Sequence, residues 1–145
     1  MKKSISWIIA VFMLLMLPAC GGAPAQSSEQ LPPDLTGVWK QTNSNAEEVY
    51  HEAEIQGDTI EIYWVDLESD TRALYWAGSF AAPETAEEPY SWESENDREK
   101  TDLALMSSTE DTKTFTYKDG QISYDMSIMG VDQTVVMEKQ EDAVP

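Results

Sequence analysis

Phe115-Thr116-Tyr117-Lys118-Asp119-Gly120-Gln121-Ile122-Ser123-Tyr124-Asp125-Met126 alternates large apolar or aromatic residues with polar ones on both sides of an Asp-Gly pair. Alternation with a period of two is the mark of a strand with one buried face and one wet face. Asp119-Gly120 supplies the two residues that tolerate positive φ, which a two-residue type I′ turn needs at both central positions. The two runs therefore pair as an antiparallel hairpin. The same signal recurs outward along the chain. Ile60-Glu61-Ile62-Tyr63-Trp64 alternates in the same way, and Gly57-Asp58 and Met129-Gly130 mark further tight turns. Strands are predicted near 36–42, 48–56, 59–66, 72–80, 90–95, 112–118, 121–128 and 131–139, with a short helix within 97–106. None of the long helical stripes that parallel crossovers require is present in the sequence. The expected fold is all-β: an antiparallel meander of about eight strands closing into a small barrel, with a β-sandwich as the alternative.

Alternation also assigns the faces. One face collects Trp39, Val49, His51, Ile55, Ile60, Ile62, Trp64, Leu74, Trp76, Phe80, Trp92, Phe115, Tyr117, Ile122, Tyr124, Met126, Val135 and Met137. The other collects Glu52, Glu54, Glu61, Asp125, Asp132 and Glu138. The first set is buried and the second wet. Strands of this length make a short barrel, which inward Trp rings would fill; the alternative is that the aromatic residues line a ligand cavity.

The 145 residues carry 27 Asp and Glu against 9 Lys and Arg, a formal net charge of −18. Phosphate backbones bind to basic faces, so nucleic acid is not an expected partner. The single Cys and single His exclude a disulfide framework, a cysteine zinc cluster and a multi-histidine metal site within one chain.

At the N-terminus Lys2 and Lys3 precede an apolar run, Trp-Ile-Ile-Ala-Val-Phe-Met-Leu-Leu-Met-Leu, over 7–17. That pattern is a signal-peptide leader over 1–19, too short to cross a bilayer, which takes about 20 residues. Loss of both lysines with the leader makes the mature chain more acidic still. Residues 21–34, Gly-Gly-Ala-Pro-Ala-Gln-Ser-Ser-Glu-Gln-Leu-Pro-Pro-Asp, have no apolar period and read as a flexible linker. The domain follows at 35–139, and 140–145 is expected to be a disordered tail.

Leu17-Pro18-Ala19-Cys20 closes the leader, with Gly21-Gly22 after it. These four residues resemble the bacterial lipobox. The resemblance implies diacylglyceration of Cys20 and cleavage just before it, so Cys20 is a lipid carrier on the extracytoplasmic face of a cell membrane; the other reading is an ordinary secretory cleavage that leaves Cys20 free. Two acyl chains anchor stably where one would be marginal. Gly37-Val38-Trp39 resembles the G-x-W of the lipocalin and wider calycin group, which implies a Trp on the first strand plugging one end of an eight-stranded barrel. The run from 58 to 80, with Asp-Thr-Ile-Glu-Ile-Tyr-Trp-Val and Arg-Ala-Leu-Tyr-Trp-Ala-Gly-Ser-Phe, is similar to small acidic lipoproteins of Gram-positive bacteria.

Candidate chemistry is sparse. His51 is the only acid–base group that titrates near neutrality, and its phase puts it inward with Val49 and Ile55 while Glu52 and Glu54 point the other way. Catalysis would need a carboxylate and a nucleophile beside it. The phase favours a hydrogen-bonded histidine at the end of the core. Asp66, Glu68 and Asp70 have the spacing that opens a calcium loop, but Thr71 stands where such a loop needs Gly and Ala77 where it needs a bidentate Glu. A solvated hairpin turn is expected there. Trp92 beside Glu93, Glu95, Asp97 and Glu99 is the composition of a sugar cleft; in so small a chain Trp92 reads more simply as core. No phosphate-cradling Gly-rich loop, G-x-S-x-G or H-E-x-x-H is present in the sequence. The expectation is a non-enzymatic envelope lipoprotein without catalytic, cofactor-binding or metal residues, acting as a binding module for a protein partner, specifically a basic envelope protein or peptide. The alternatives are a carrier of a small apolar ligand inside the barrel and a structural protein with no dedicated ligand.

Overall fold

The structure is a computed structural model that describes residues 30–141. The leader 1–19 and Cys20 lie outside the described residues, as do 21–29 of the linker and 142–145 of the tail.

Eight strands follow one another: β1 (Gly37–Gln41), β2 (Val49–Gln56), β3 (Thr59–Asp66), β4 (Thr71–Ser79), β5 (Tyr90–Glu95), β6 (Thr112–Lys118), β7 (Gln121–Ile128) and β8 (Val131–Lys139), with α1 (Arg98–Thr101) between β5 and β6. They fall within a residue of the alternation. All pair antiparallel in one sheet of order β4-β3-β2-β1-β8-β7-β6-β5. The joint β1·β8, with Trp39 opposite Lys139 and Gln41 opposite Met137, links the two ends of the chain. The turns behave as their chemistry requires. Asp119 (φ 52°) and Gly120 (φ 80°) are both left-handed, and Met129 (φ 51°) and Gly130 (φ 82°) repeat that pair.

The barrel is nearly closed, with one unsealed seam between β4 and β5. Their only bridge is Gly78 with Asn96. Side chains hold the seam: Trp76 Nε1 donates to Ser94 Oγ at 3.0 Å, and the Glu95 amide donates to Ser79 Oγ at 2.9 Å. The backbone approach is so close that a Cβ on Gly78 would stand 2.4 Å from Ser94 Oγ and 2.5 Å from the Glu95 carbonyl oxygen. Beside the seam lies α1, capped by Asp97, whose side chain accepts from the Glu99 amide and whose own amide donates to the Ala77 carbonyl at 2.8 Å. Asp97 thereby ends the strand, starts the helix and ties both to β4.

The interior is packed around Trp39, Trp76 and Phe115, with Ile60, Ile62 and Val135 in the same buried cluster. One inward assignment is corrected. Ile62 pairs with Trp76 but Tyr63 pairs with Leu74, so the register slips by one residue. Tyr75 is the extra residue of a β-bulge, which resets the alternation. Leu74 therefore shares the outer side with Tyr63 and is half-buried, while Tyr75 and Trp76 are both buried.

The outer wall carries the expected acids, but several are neutralised. Arg72 lies over the Tyr63 ring at 3.5 Å and bridges Glu52 at 3.1 Å and Glu54 at 2.5 Å. Lys100 pairs with Glu61 at 2.5 Å, and Asp125 accepts from Thr134 Oγ1 at 2.6 Å.

The two ends of the barrel differ. At one end the chain enters at Leu35, whose carbonyl accepts from Trp39 Nε1 at 2.9 Å, and Trp39 is buried across that end. Gly37 opposite Ile55 places the 57–58 turn there, and Lys118 opposite Gln121 places the 119–120 turn beside it. At the other end stand the 42–48 loop, the 67–70 turn, the 102–111 segment and the 129–130 turn. The first end is closed and the second open.

Candidate functional site at the open end

Five inward residues cluster near the open end: His51 on β2, Trp64 on β3, Tyr75 at the bulge on β4, Lys113 on β6 and Tyr124 on β7. His51 is fully buried, paired across the sheet with Trp64, whose ring meets the imidazole edge-on at 3.9 Å. The imidazole Nδ1 shares a hydrogen bond with the Tyr124 hydroxyl, and Nε2 has no partner. Burial, with Lys113 as a lesser cause, holds its pKa down at about 3. Imidazole is therefore neutral across the physiological range. The carboxylates of Glu52 and Glu54 lie outside on Arg72, so the structure does not bring them to His51.

Lys113 is the residue that the sequence reading missed. Its side chain is buried, its ammonium pairs with Glu110 and donates to the Asp125 carbonyl at 3.2 Å, and it stands 5.5 Å from the Tyr75 and Trp76 ring centres. Counting back by two from Phe115 puts Lys113 inward, so the phase could have found it. Aromatic faces and one carboxylate are what make a buried ammonium tolerable there. Burial also raises the phenol pKa values of Tyr75 and Tyr124.

Above Trp64 and Tyr75 lies a depression of about 540 Å³, walled by residues 105–110 and by Ser127, Ile128 and Met129. Of its lining, Leu105, Met106, Ile128 and Met129 are apolar and exposed, and Ser107, Ser108, Thr109, Glu110 and Ser127 are polar. Met129 is 100 % exposed and sits at φ 51°, a left-handed conformation that Asp or Asn enters far more easily than a long apolar residue. In the neighbouring 119–120 turn, at the closed end, the equivalent position is Asp119.

The charge around this mouth is one-sided. Glu47, Glu48, Asp66, Glu68, Asp70 and Asp132 stand at this end, and among the described residues none of the six is in an ion pair. The Leu67 amide donates to the Glu48 carbonyl at 2.9 Å, which brings the first two acids beside the 67–70 turn. Arg98 is engaged by Asp111 and Asp102, and Lys113 by Glu110. Lys40, held over the Tyr50 ring at 4.1 Å, lines the same surface hollow as Glu47 beside the 42–48 loop, one cation against the six acids.

The other candidates separate. Asp66 caps its own turn, accepting from the Ser69 amide at 3.2 Å and the Glu68 amide at 2.9 Å. Hydrogen bonding by Ser69, side chain first and then amide, with a smaller part from the Glu68 amide, holds its pKa below the usual carboxylate value. Ala77, twelfth of the calcium-loop count, is buried in β4. Trp92 is core, edge-on to Phe80 at 5.1 Å and stacked on Phe115 at 5.2 Å. Glu93 and Glu95 lie on the opposite side of β5 from Trp92, and both are exposed. Among the described residues no three His, Cys, Asp or Glu are gathered as a metal would need, and no helix is long and apolar enough to cross a membrane.

Chemically, the open end is a depression floored by Trp64 and Tyr75, walled by exposed apolar side chains and by serines, Thr109 and Glu110, with further acids around it. Compared with protein-family models, with curated proteins and with solved structures, the chain shows no match.

Proposed function

We propose that the protein is a lipoprotein of the bacterial envelope, anchored by diacylglyceryl-Cys20 on the extracytoplasmic face of the membrane, and that it serves as a non-enzymatic binding module whose protein partner docks on the open end of the barrel. The observation that carries this reading is the exposed rim. Soluble domains scatter single apolar residues over their surface, but a contiguous exposed patch around a depression is the usual signature of a contact surface. Here Leu105, Met106, Ile128 and Met129 form such a patch. Its seating on a nearly closed, hydrogen-bonded β-scaffold suits recognition that needs little reorganisation on binding. The packed interior weighs against carriage of an apolar ligand inside the barrel.

Photo-crosslinking in the cells that make the protein tests the proposal. A photo-reactive phenylalanine analogue at position 105 or 129 is expected to give one discrete polypeptide adduct, while the same group at 58 or 119, on the closed end, gives none. Adducts from both ends alike, or none from the open end, would overturn it. Separately, Cys20→Ala should abolish labelling by a palmitate analogue and release the protein from the membrane. Labelling that persists in the variant would remove the anchor from the proposal.

A further inference from the structure

We infer that the segment seated on the open end is cationic and amphipathic: a peptide stretch that places apolar side chains over Trp64 and Tyr75 and Lys or Arg side chains against the surrounding acids. This rests on the reading of the open end as a partner surface and names the chemistry of what fits it.

Three observations select this occupant. The first is charge complementarity. The wall acids Glu52, Glu54 and Glu61 are already satisfied by Arg72 and Lys100, whereas the six acids beside the mouth are in no ion pair among the described residues and have Lys40, near Glu47, as a partial offset. Unpaired carboxylates around an apolar lip favour cations at the rim and penalise like charge. A second copy of this chain, itself at −18, would bring acid against acid.

The second is direction. The described chain enters at the closed end, at Leu35 beside Trp39, and β2 and β3 run the full height of the barrel between there and the mouth. Eight residues of strand at about 3.3 Å each are roughly 26 Å long, so even tilted strands keep the two ends well apart. Under the proposed anchor the linker joins the domain at the closed end, beside Leu35, and leaves the mouth free of the attachment point. Anionic headgroups are repelled as well. A lipid surface is therefore the poorer occupant.

The third is Met129. A left-handed turn position is cheaply filled by Asp, as Asp119 fills it at the closed end. Met there holds a flexible, polarisable side chain fully in solvent at the lip of the depression, and Met adapts to irregular apolar partners. A depression of about 540 Å³ suits a few apolar side chains of a peptide, since pockets of roughly 300–1,000 Å³ bury a drug-sized body.

The test uses the full chain held in nanodiscs of zwitterionic lipid, with empty nanodiscs as the blank. Three probes are compared: a short amphipathic Leu/Lys peptide carrying one photo-reactive leucine, its Leu/Glu counterpart, and vesicles of anionic phospholipid. The Leu/Lys peptide should crosslink to 105–106 and 128–131 and bind at least about tenfold tighter than Leu/Glu at low salt, with the advantage shrinking as salt rises. Neutralising the mouth with Glu47→Gln, Glu48→Gln, Glu68→Gln and Asp70→Asn together should remove that advantage and flatten the salt dependence. Glu84→Gln with Glu87→Gln, in the loop at the closed end, should leave it intact. Leu105→Gln with Met129→Asn should abolish binding of both peptides. Equal binding of the two peptides, crosslinks on the β-wall, failure of the Leu/Lys peptide to bind, or vesicle binding that needs Met129 each overturns the cationic segment. The partner surface itself fails only if the adducts in living cells are missing from the open end, so the two failures are told apart.

Discussion

Trp76 and Ser94 meet across the one gap in the barrel, the indole N–H donating to the serine hydroxyl at 3.0 Å with both side chains fully buried. The contact replaces a missing ladder between β4 and β5. Removing one partner of a buried hydrogen bond leaves the other unsatisfied, so Ser94→Ala should cost about 1–3 kcal/mol. Gly78→Ala should cost a similar 1–3 kcal/mol by overpacking, because its new methyl would collide with the Glu95 carbonyl as well as with Ser94. Urea unfolding monitored by Trp fluorescence checks both. A midpoint unchanged in Gly78→Ala would mean that the seam is slack.

The two Trp of the neighbouring strands β3 and β4 should rank clearly. Trp76 is fully buried and Trp64 only partly, since Trp64 floors the open end. Trp76→Ala is therefore expected to cost about 3–5 kcal/mol, a large share of the stability of so small a domain. Trp64→Ala should cost distinctly less while weakening whatever binds above it. Denaturation of the pair side by side decides the order, and a reversed order would invert the assignment of the two ends.

His51 gives the stability a pH slope of known sign. Its pKa is about 3 folded against an ordinary 6.5, so between these values the unfolded chain binds a proton that the folded chain does not. Stability is thus lost as pH falls through 6.5 toward 3, by about 2 kcal/mol between roughly pH 6 and pH 4.5 from this group alone. The depressed carboxylates Glu61 and Asp66 lose their contribution further down, as pH falls from their ordinary 4.5 and 3.8. His51→Gln should flatten the upper window and leave the lower one. An unchanged slope in the variant would place the proton uptake elsewhere.

Met129 should trade stability for contact. Met129→Asn fits the left-handed turn better and is expected to raise stability by about 0.5–1 kcal/mol, within the range of relieved backbone strain. The same change should reduce crosslinking at the open end. Thermal melting alongside adduct yield tests the pair, and a variant no more stable than its parent would show that the turn holds Met without strain.

The barrel was legible because its strands are short, alternating and punctuated by turn residues. Asp119-Gly120 fixed one hairpin and the phase of Ile60 to Trp64 fixed another. Leu74 was misplaced because a bulge inserts one residue without any local mark; Tyr75 is no turn former and no glycine signals the slip. Lys113 was overlooked because a lysine in an alternating strand looks like a wet residue until its neighbours' phase is counted. The open end was the least visible. Its rim gathers residues from the 102–111 segment and from the β7–β8 hairpin around Met129, which strand pairing alone brings together. The acids were plain in the composition, but which were neutralised depended on where Arg72 and Lys100 could reach.

The β1·β8 joint also sets an order of events. Almost every other pairing is a hairpin between sequence neighbours, formed by closing a short loop, whereas this joint brings together groups as far apart as Lys139 and Asp34, separated by 105 residues. Loops that long close late, and folds that depend on them are slower to complete. A chain emerging N-terminus first would complete β1 to β4 and then wait with β1 as a bare edge until β8 arrived. During that interval any β8 would serve, including one from a neighbouring chain, and crowded synthesis would then yield strand-exchanged pairs whose barrels are individually intact.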